Sequence, residues 1–220
     1  MAKQRLYRLV EEIRKDYGIN YPPPYNSIEL CTSAFGLYLN KLDLKTPKLR
    51  GMSHIPSRSV LIDSKLSEEE QNFYCMHEII HHTVHKTRPT KLYSCYEGTQ
   101  VDQNSFIEWE ANEGAAQFLV PYQDFIPRFS TLLDAKTVGI PYILANYYNV
   151  TAQVINIRMD NLAYEIDQYQ LGVGLEDIEL LSRREREARG IKVECYPAVC
   201  DFMSFLVDMQ QSEDLLKKAQ

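Results

Sequence analysis

The sequence contains no stretch near the roughly 18 consecutive apolar residues that a membrane-spanning helix requires, which excludes a bilayer helix. It has no C-x-x-C pair, and its five cysteines, Cys31, Cys75, Cys95, Cys195 and Cys200, are odd in number. Both facts argue against a disulfide framework and against a thiolate zinc site, and buried free thiols are the expectation. Positive charge is in short supply: the formal net charge is -6, which does not favour long-range attraction to nucleic acid. The N-terminal residues are charged at helical intervals and show no apolar run before a small-residue cleavage site, so the expected location is the cytoplasm. No internal repeat or low-complexity tract is present. With 45% hydrophobic and 25% charged residues among 220, the chain has an ordinary globular composition, long enough for one main core with an appendage.

The apolar pattern gives a mainly helical α+β chain. Leu6, Leu9, Val10 and Ile13 predict an amphipathic helix over residues 3 to 16, ended near Gly18. Tyr21-Pro22-Pro23-Pro24-Tyr25 reads as a rigid connector, followed by a helix from Asn26 or Ser27 to about Leu39. Leu49 to Ile55 and Ser59 to Ile62, separated by Pro56-Ser57-Arg58, predict a β-hairpin. Ser67 followed by Glu68, Glu69 and Glu70 is a capping-box pattern that starts the next helix. Residues 86 to 104 read as a long loop, and Phe106 to Leu119 as a helix closed by Val120-Pro121. Two further helices are expected over 140 to 147 and 151 to 166, joined by a tight turn at Asn149. Residues 1 to 170 are expected to form the main domain. A C-terminal extension, 171 to 220, is expected to hold a helix, a short strand at 191 to 199 and a terminal helix with Phe202, Phe205, Leu206 and Met209 on one stripe.

Within the capped helix stands His77-Glu78-Ile79-Ile80-His81. Residues four apart share a helix face, so the two imidazoles can aim at one point, as a tetrahedral zinc requires. Glu78 then lies beside the site of the attacking water and is the natural general base. Catalytic zinc usually takes three protein ligands. His85 is a poor third, because His77, His81 and His85 climb about 12 Å of helix and do not all reach one ion; it buttresses the site or packs. A glycine turn with a histidine six residues after His81 is missing, since Thr87 stands there.

A glutamate from the later helix remains, and Glu108, Glu110 and Glu113 are the candidates. Ala111 and Ala115 mark the side of that helix that can approach another closely, and Glu108 shares it. Glu110 points about 160° away and is the fallback ligand, or else a solvated surface charge. Asn112 is one turn beyond Glu108, placed to hydrogen-bond a ligand histidine or the ligand carboxylate. Tyr93 and Tyr96 are the candidates for an oxyanion donor.

These residues resemble the ImmA/IrrE family of metallopeptidases, which pairs an H-E-x-x-H-x-x-x-H helix with a later E-x-E-A-N-x-x-A-x-x-L-x-P segment. His77 to His85 and Glu108 to Pro121 carry the match, and the hairpin ending Leu61-Ile62-Asp63 adds to it. Ile80 stands where many members have glycine, and Gly114 where many have an aromatic residue. The resemblance implies a gluzincin-like zincin fold, a Zn2+ cofactor and a protein or peptide substrate of repressor type.

A competing reading starts from residues 140 to 166, which resemble a helix-turn-helix and would make the chain a zinc-binding transcriptional regulator. The would-be recognition helix has a single cation, Arg158, beside Asp160, which is poor chemistry for phosphate contacts. Two helices packed into the catalytic domain are the preferred reading.

Overall fold

The computed structural model describes residues 3–96 and 105–193. Among them are nine helices and four strands, with one helix, α3 (Glu68–Val84), at the centre. On one side of α3 lies a four-stranded sheet, and on the other α1 (Lys3–Asp16), α2 (Ser27–Ser33) and the helices that follow the motif. The architecture is therefore α+β and mainly helical.

The capping box of α3 is formed in full. Ser67 Oγ accepts from the Glu70 amide and the Glu70 carboxylate accepts from the Ser67 amide at 2.9 Å. Cys75, Met76, Ile79 and Ile80 of α3 are all completely buried. A helix enclosed on several sides in this way holds His77, Glu78 and His81 in a fixed frame.

The hairpin is formed by β2 (Leu49–His54) and β3 (Ser59–Asp63), antiparallel, with β1 (Tyr38–Leu42) parallel to β3. A fourth strand, β4 (Leu92–Tyr96), pairs antiparallel with β2, giving the order β1-β3-β2-β4. The inward positions of β2 are Leu49, Gly51 and Ser53, and those of β3 are Val60 and Ile62. This is the alternation expected of a sheet with one face on the core.

Two expectations are corrected here. The second helix stops at Ser33, and Leu39 belongs to β1 instead. Gly36, at φ 60°, lets the chain reverse: the Phe35 amide returns to the Leu30 carbonyl and the Leu37 amide to that of Cys31. The segment read as a long loop contains β4, because Tyr93 and Cys95 face the core at strand spacing.

After α3 comes α4 (Ser105–Leu119), packed closely against it. Ala111 and Ala115 are fully buried at this contact, and a Cβ on Gly114 would come within 3.2 Å of Ile80 Cγ2. The pairing of Gly114 with a bulky Ile80 is thus a local exchange of size between the two helices. A helix that the pattern did not assign, α5 (Tyr122–Asp134), follows at once. Its stripe of Phe125, Ile126 and Phe129 is helical, but Pro121 at its N-cap and Pro127 inside it read as breaks.

The helix-turn-helix-like region holds three helices, α6 (Ile140–Tyr148), α7 (Ala152–Asn161) and α8 (Ala163–Gln170), because the second expected helix breaks at Leu162. Asn149 takes the left-handed conformation at the turn, φ 55°. Beyond α8, Ile178 and Leu180 pack into the same core, and α9 (Arg183–Ala188) carries the expected ion pair four residues apart, Arg183 to Glu187 at 2.8 Å. Residues 191 to 193 are not strand, and the rest of the expected strand and the terminal helix lie outside the described residues.

Arg158 on α7 is completely buried. Its guanidinium donates to Glu113 Oε1 of α4 at 2.8 Å, to the Val120 carbonyl at 3.0 Å, and to Gln117 and the Tyr7 hydroxyl. Asn161 supports the other Glu113 oxygen at 2.8 Å. The one cation of the would-be recognition helix therefore points into the protein and binds α4.

Candidate metal centre

His77 and His81 are both fully buried, and their Nε2 atoms face each other at 3.1 Å. Glu108, half-buried on the first turn of α4, brings Oε2 to 3.4 Å from His77 Nε2 and Oε1 to 3.8 Å from His81 Nε2. Three donors on a tetrahedral zinc, at bond lengths of about 2.0–2.1 Å, stand about 3.3 Å apart. The two edges at His77, 3.1 and 3.4 Å, lie near that value, while the 3.8 Å edge to His81 is made by the other carboxylate oxygen; two imidazole nitrogens and a carboxylate are a donor set that zinc takes.

The hydrogen bonds behind the histidines agree. His77 Nδ1 meets Asn112 Oδ1 at 2.9 Å, and a carbonyl oxygen only accepts, so His77 carries a proton on Nδ1 and Nε2 is the nitrogen left for a metal. Against the burial of the ring, Cys95 and Glu108 hold its second proton well above the usual imidazole range, a proton that metal binding would displace. His81 Nδ1 meets His85 Nδ1 at 2.9 Å, and His85 Nε2 meets Glu110 Oε2 at 3.3 Å. The carboxylate end fixes the chain of tautomers: His85 donates from Nε2 to Glu110, accepts at Nδ1 from His81, and His81 Nε2 is likewise free. Burial, with Arg88 and His77 adding to it, pushes His85 down to about 4, so the ring is neutral as this chain requires. Burial, aided by His77 and His85, also keeps His81 well below the usual imidazole range.

Glu110 is corrected on both expectations. It is fully buried rather than solvated, and it faces His85 and Arg88, the latter at 3.0 Å, rather than the donor cluster. Its place is at the far end of the His81–His85 chain. Glu113 binds Arg158, and only Glu108 of the three glutamates reaches both histidines.

Glu78 is fully buried under β2. Ser53 Oγ donates to its Oε2 at 2.5 Å, while its Oε1 has no partner. An unpaired carboxylate oxygen in such a position is an acceptor waiting for a proton donor. Burial pushes the carboxyl up to about 7, against the opposing pull of His77 and Ser53. The strand comes this close because its inward residues are small: a Cβ on Gly51 would lie 2.8 Å from Glu78 Oε1.

Two residues of this neighbourhood, Gly51 and Ser53, escaped sequence reasoning, and two more were named without their place in it, Glu110 as a fallback ligand and Cys95 as a buried free thiol. Gly51 and Ser53 sit at core-facing strand positions where larger apolar residues are the rule, and that anomaly was a readable signal. Glu110 and Cys95 gave none. Cys95 forms a second donor group with His77 and Glu78, all buried. Burial keeps its thiol above the usual range, which disfavours the thiolate that binds a metal, so the histidine-histidine-carboxylate set is the better metal site. Tyr93 stacks on the His81 ring, centroids 4.1 Å apart, and reaches the His85 carbonyl, which makes it a packing residue. Tyr96 lines the cleft beside Glu108.

A helix with two inward histidines, a buried glutamate between them and a carboxylate from a second helix is an arrangement of metallopeptidase type. Residues 32–160 match the model of the IrrE N-terminal-like domain, peptidase M78, and the chain belongs to that family. Ten solved chains are similar in structure. One, a Mycobacterium tuberculosis transcriptional regulator, aligns with a TM-score of 0.51 at 17% identity, over 72% of this chain and 47% of that one. The likeness at that identity concerns the fold, and the chain spans about half of that regulator's length. No curated protein matches the sequence. No helix among the described residues is long and apolar enough to cross a membrane.

Proposed function

We propose that the chain is a cytoplasmic zinc-dependent endopeptidase of gluzincin type that cuts a regulatory, repressor-type protein. The observation that carries this reading is the convergence of His77, His81 and Glu108, whose donor atoms lie within 4.8 Å of one another, with both histidine Nδ1 atoms already engaged. Zinc, when bound there, supplies Lewis acidity, polarising a peptide carbonyl and acidifying the attacking water. Glu78 takes the water's proton at Oε1 and delivers it to the leaving amine, while Ser53 holds Oε2 in place. Asn112 and the His85–Glu110 pair keep the ligand rings in tautomer and orientation. The catalytic domain comprises residues 1–170 together with the segment through Leu181 that packs into its core, so the extension starts later than the expected 171.

The supporting hydrogen bonds have a measurable weight. Asn112→Ala and His85→Ala are each expected to weaken zinc binding by about 10- to 100-fold while the fold persists. Competition with a chromophoric chelator measures this, and affinity unchanged in both variants would count against the tautomer assignment.

The test of the whole reading is incubation of the zinc-loaded protein with a co-encoded repressor, followed by mass spectrometry of the products. Cleavage at a defined bond, lost on chelation and restored by zinc, is the expected result. An intact repressor under all conditions would remove the proposed substrate.

The alternative is a zinc-binding transcriptional regulator without proteolysis, since the structurally similar Mycobacterium tuberculosis protein is a transcriptional regulator. The burial of Arg158 weighs against it, since α7 then has no cation to place on a phosphate.

A further inference from the structure

Beside the donor cluster lies a cleft of about 530 Å³, walled by α4 on one side and α7 on the other. It borders the metal centre through Glu108 and Asn112, which are part of its wall, while His77 and His81 lie buried behind them. Phe73, Trp109, Ala116, Val154 and Ile157 form the apolar part of its lining, beside polar residues that include Asn112, Gln153 and Asn161, and Ile157 is 51% exposed. A volume of this size lies in the range of ligand pockets and admits an aromatic side chain with the backbone that carries it.

The acidic groups of the wall are already engaged. Glu113 is held by Arg158 and Asn161, and Glu70 by the cap of α3. Glu108 turns toward the histidines. A cationic side chain entering the cleft would thus find no carboxylate at liberty among these three, whereas an apolar one would cover exposed hydrocarbon. The same network explains how α7 can serve as a wall: Arg158 fixes the helix to α4, and Val154 and Ile157, four and one residues before it, are left facing the gap.

We propose that the α4–α7 cleft receives a bulky apolar side chain of the substrate adjoining the scissile bond, with Val154 and Ile157 setting the preference. The inference rests on the peptidase reading and names the substrate class it acts on. The helix-turn-helix-like segment then acts in substrate selection, through the helix that would otherwise read DNA.

Trp109 is the only tryptophan in the chain and lies in the cleft wall, so its emission reports occupancy without any need for turnover. The probes are tryptophan-free hexapeptide amides identical except for one central residue: Phe, Leu, Gly, Asp or Lys. They are titrated into the zinc-loaded Glu78→Gln protein. Phe and Leu peptides are expected to bind at least about tenfold more tightly than Gly, Asp or Lys peptides. Ile157→Asp, an exposed position that tolerates charge, is expected to erase that difference with zinc content unchanged. Val154→Phe, which fills the cleft, is expected to move the preference from Phe toward smaller side chains.

Equal affinities across the five peptides, or an unchanged preference in both variants, would overturn the proposal. Hydrolysis of the same peptides by the wild type separates the two levels. Cleavage without side-chain preference defeats the cleft assignment alone, and selective binding without any cleavage defeats the peptidase reading.

Discussion

Glu78→Gln is expected to lower the rate of peptide hydrolysis by about 10³-fold, within the 10²- to 10⁴-fold range of general acid–base catalysis, while zinc content stays at one ion per chain. The reason lies in the two carboxylate oxygens. Oε2 accepts the Ser53 hydroxyl at 2.5 Å, and glutamine retains one oxygen able to do so. Oε1, buried without a partner beneath Gly51, is the oxygen that in the proposed mechanism would take a proton, and an amide group in its place would not. The substitution removes basicity and leaves shape, so the fold, the histidines and Glu108 are undisturbed. Single-turnover hydrolysis together with metal analysis checks both halves of the prediction. Full activity in Glu78→Gln would show that another group is the base.

Arg158→Met is expected to destabilise the protein by about 3–5 kcal/mol, because it leaves the buried Glu113 carboxylate without its charge partner. For a chain of this size that corresponds to a fall in melting temperature of about 6–20 °C. Replacing both members, Arg158→Met with Glu113→Leu, is expected to recover much of the loss, since a well-packed apolar pair avoids burying either charge. The same variant separates the two functional readings. A recognition helix that uses Arg158 on a phosphate would lose DNA affinity with its stability intact; an internal tie between α7 and α4 loses stability first. Thermal unfolding of the single and double variants decides between these outcomes.

What the sequence made legible follows from where the information is local. The Ser67 cap, the four-residue spacing of His77 and His81, and the alternation across Leu49 to Ile62 each specify structure within a few residues, and each is found as expected. The helix-face argument also picked out Glu108 and Asn112, because Ala111 and Ala115 mark the packed side of α4. It failed for Glu110, which lies on a different face of α4 and is buried by α3 and Arg88, partners that no periodicity within its own helix reveals. Strand β4 was hidden because its pairing with β2 is a contact between segments some 40 residues apart, and five residues alone give too short a pattern. Helix α5 was hidden by its prolines. Arg158 was judged by its charge, as if solvated, and its burial depends on Glu113, Gln117 and Tyr7 from two other helices.

The central claim is that His77, His81 and Glu108 bind one zinc ion, and metal stoichiometry tests it most directly. Purified wild type, Glu108→Ala and Glu110→Ala are to be loaded with zinc, passed through a chelating resin, and assayed for bound metal. The account predicts one zinc per chain in the wild type, loss of most of it in Glu108→Ala, and retention with modestly weaker binding in Glu110→Ala, whose carboxylate acts through His85. One zinc per chain surviving in Glu108→Ala, with its loss in Glu110→Ala, would contradict the assignment.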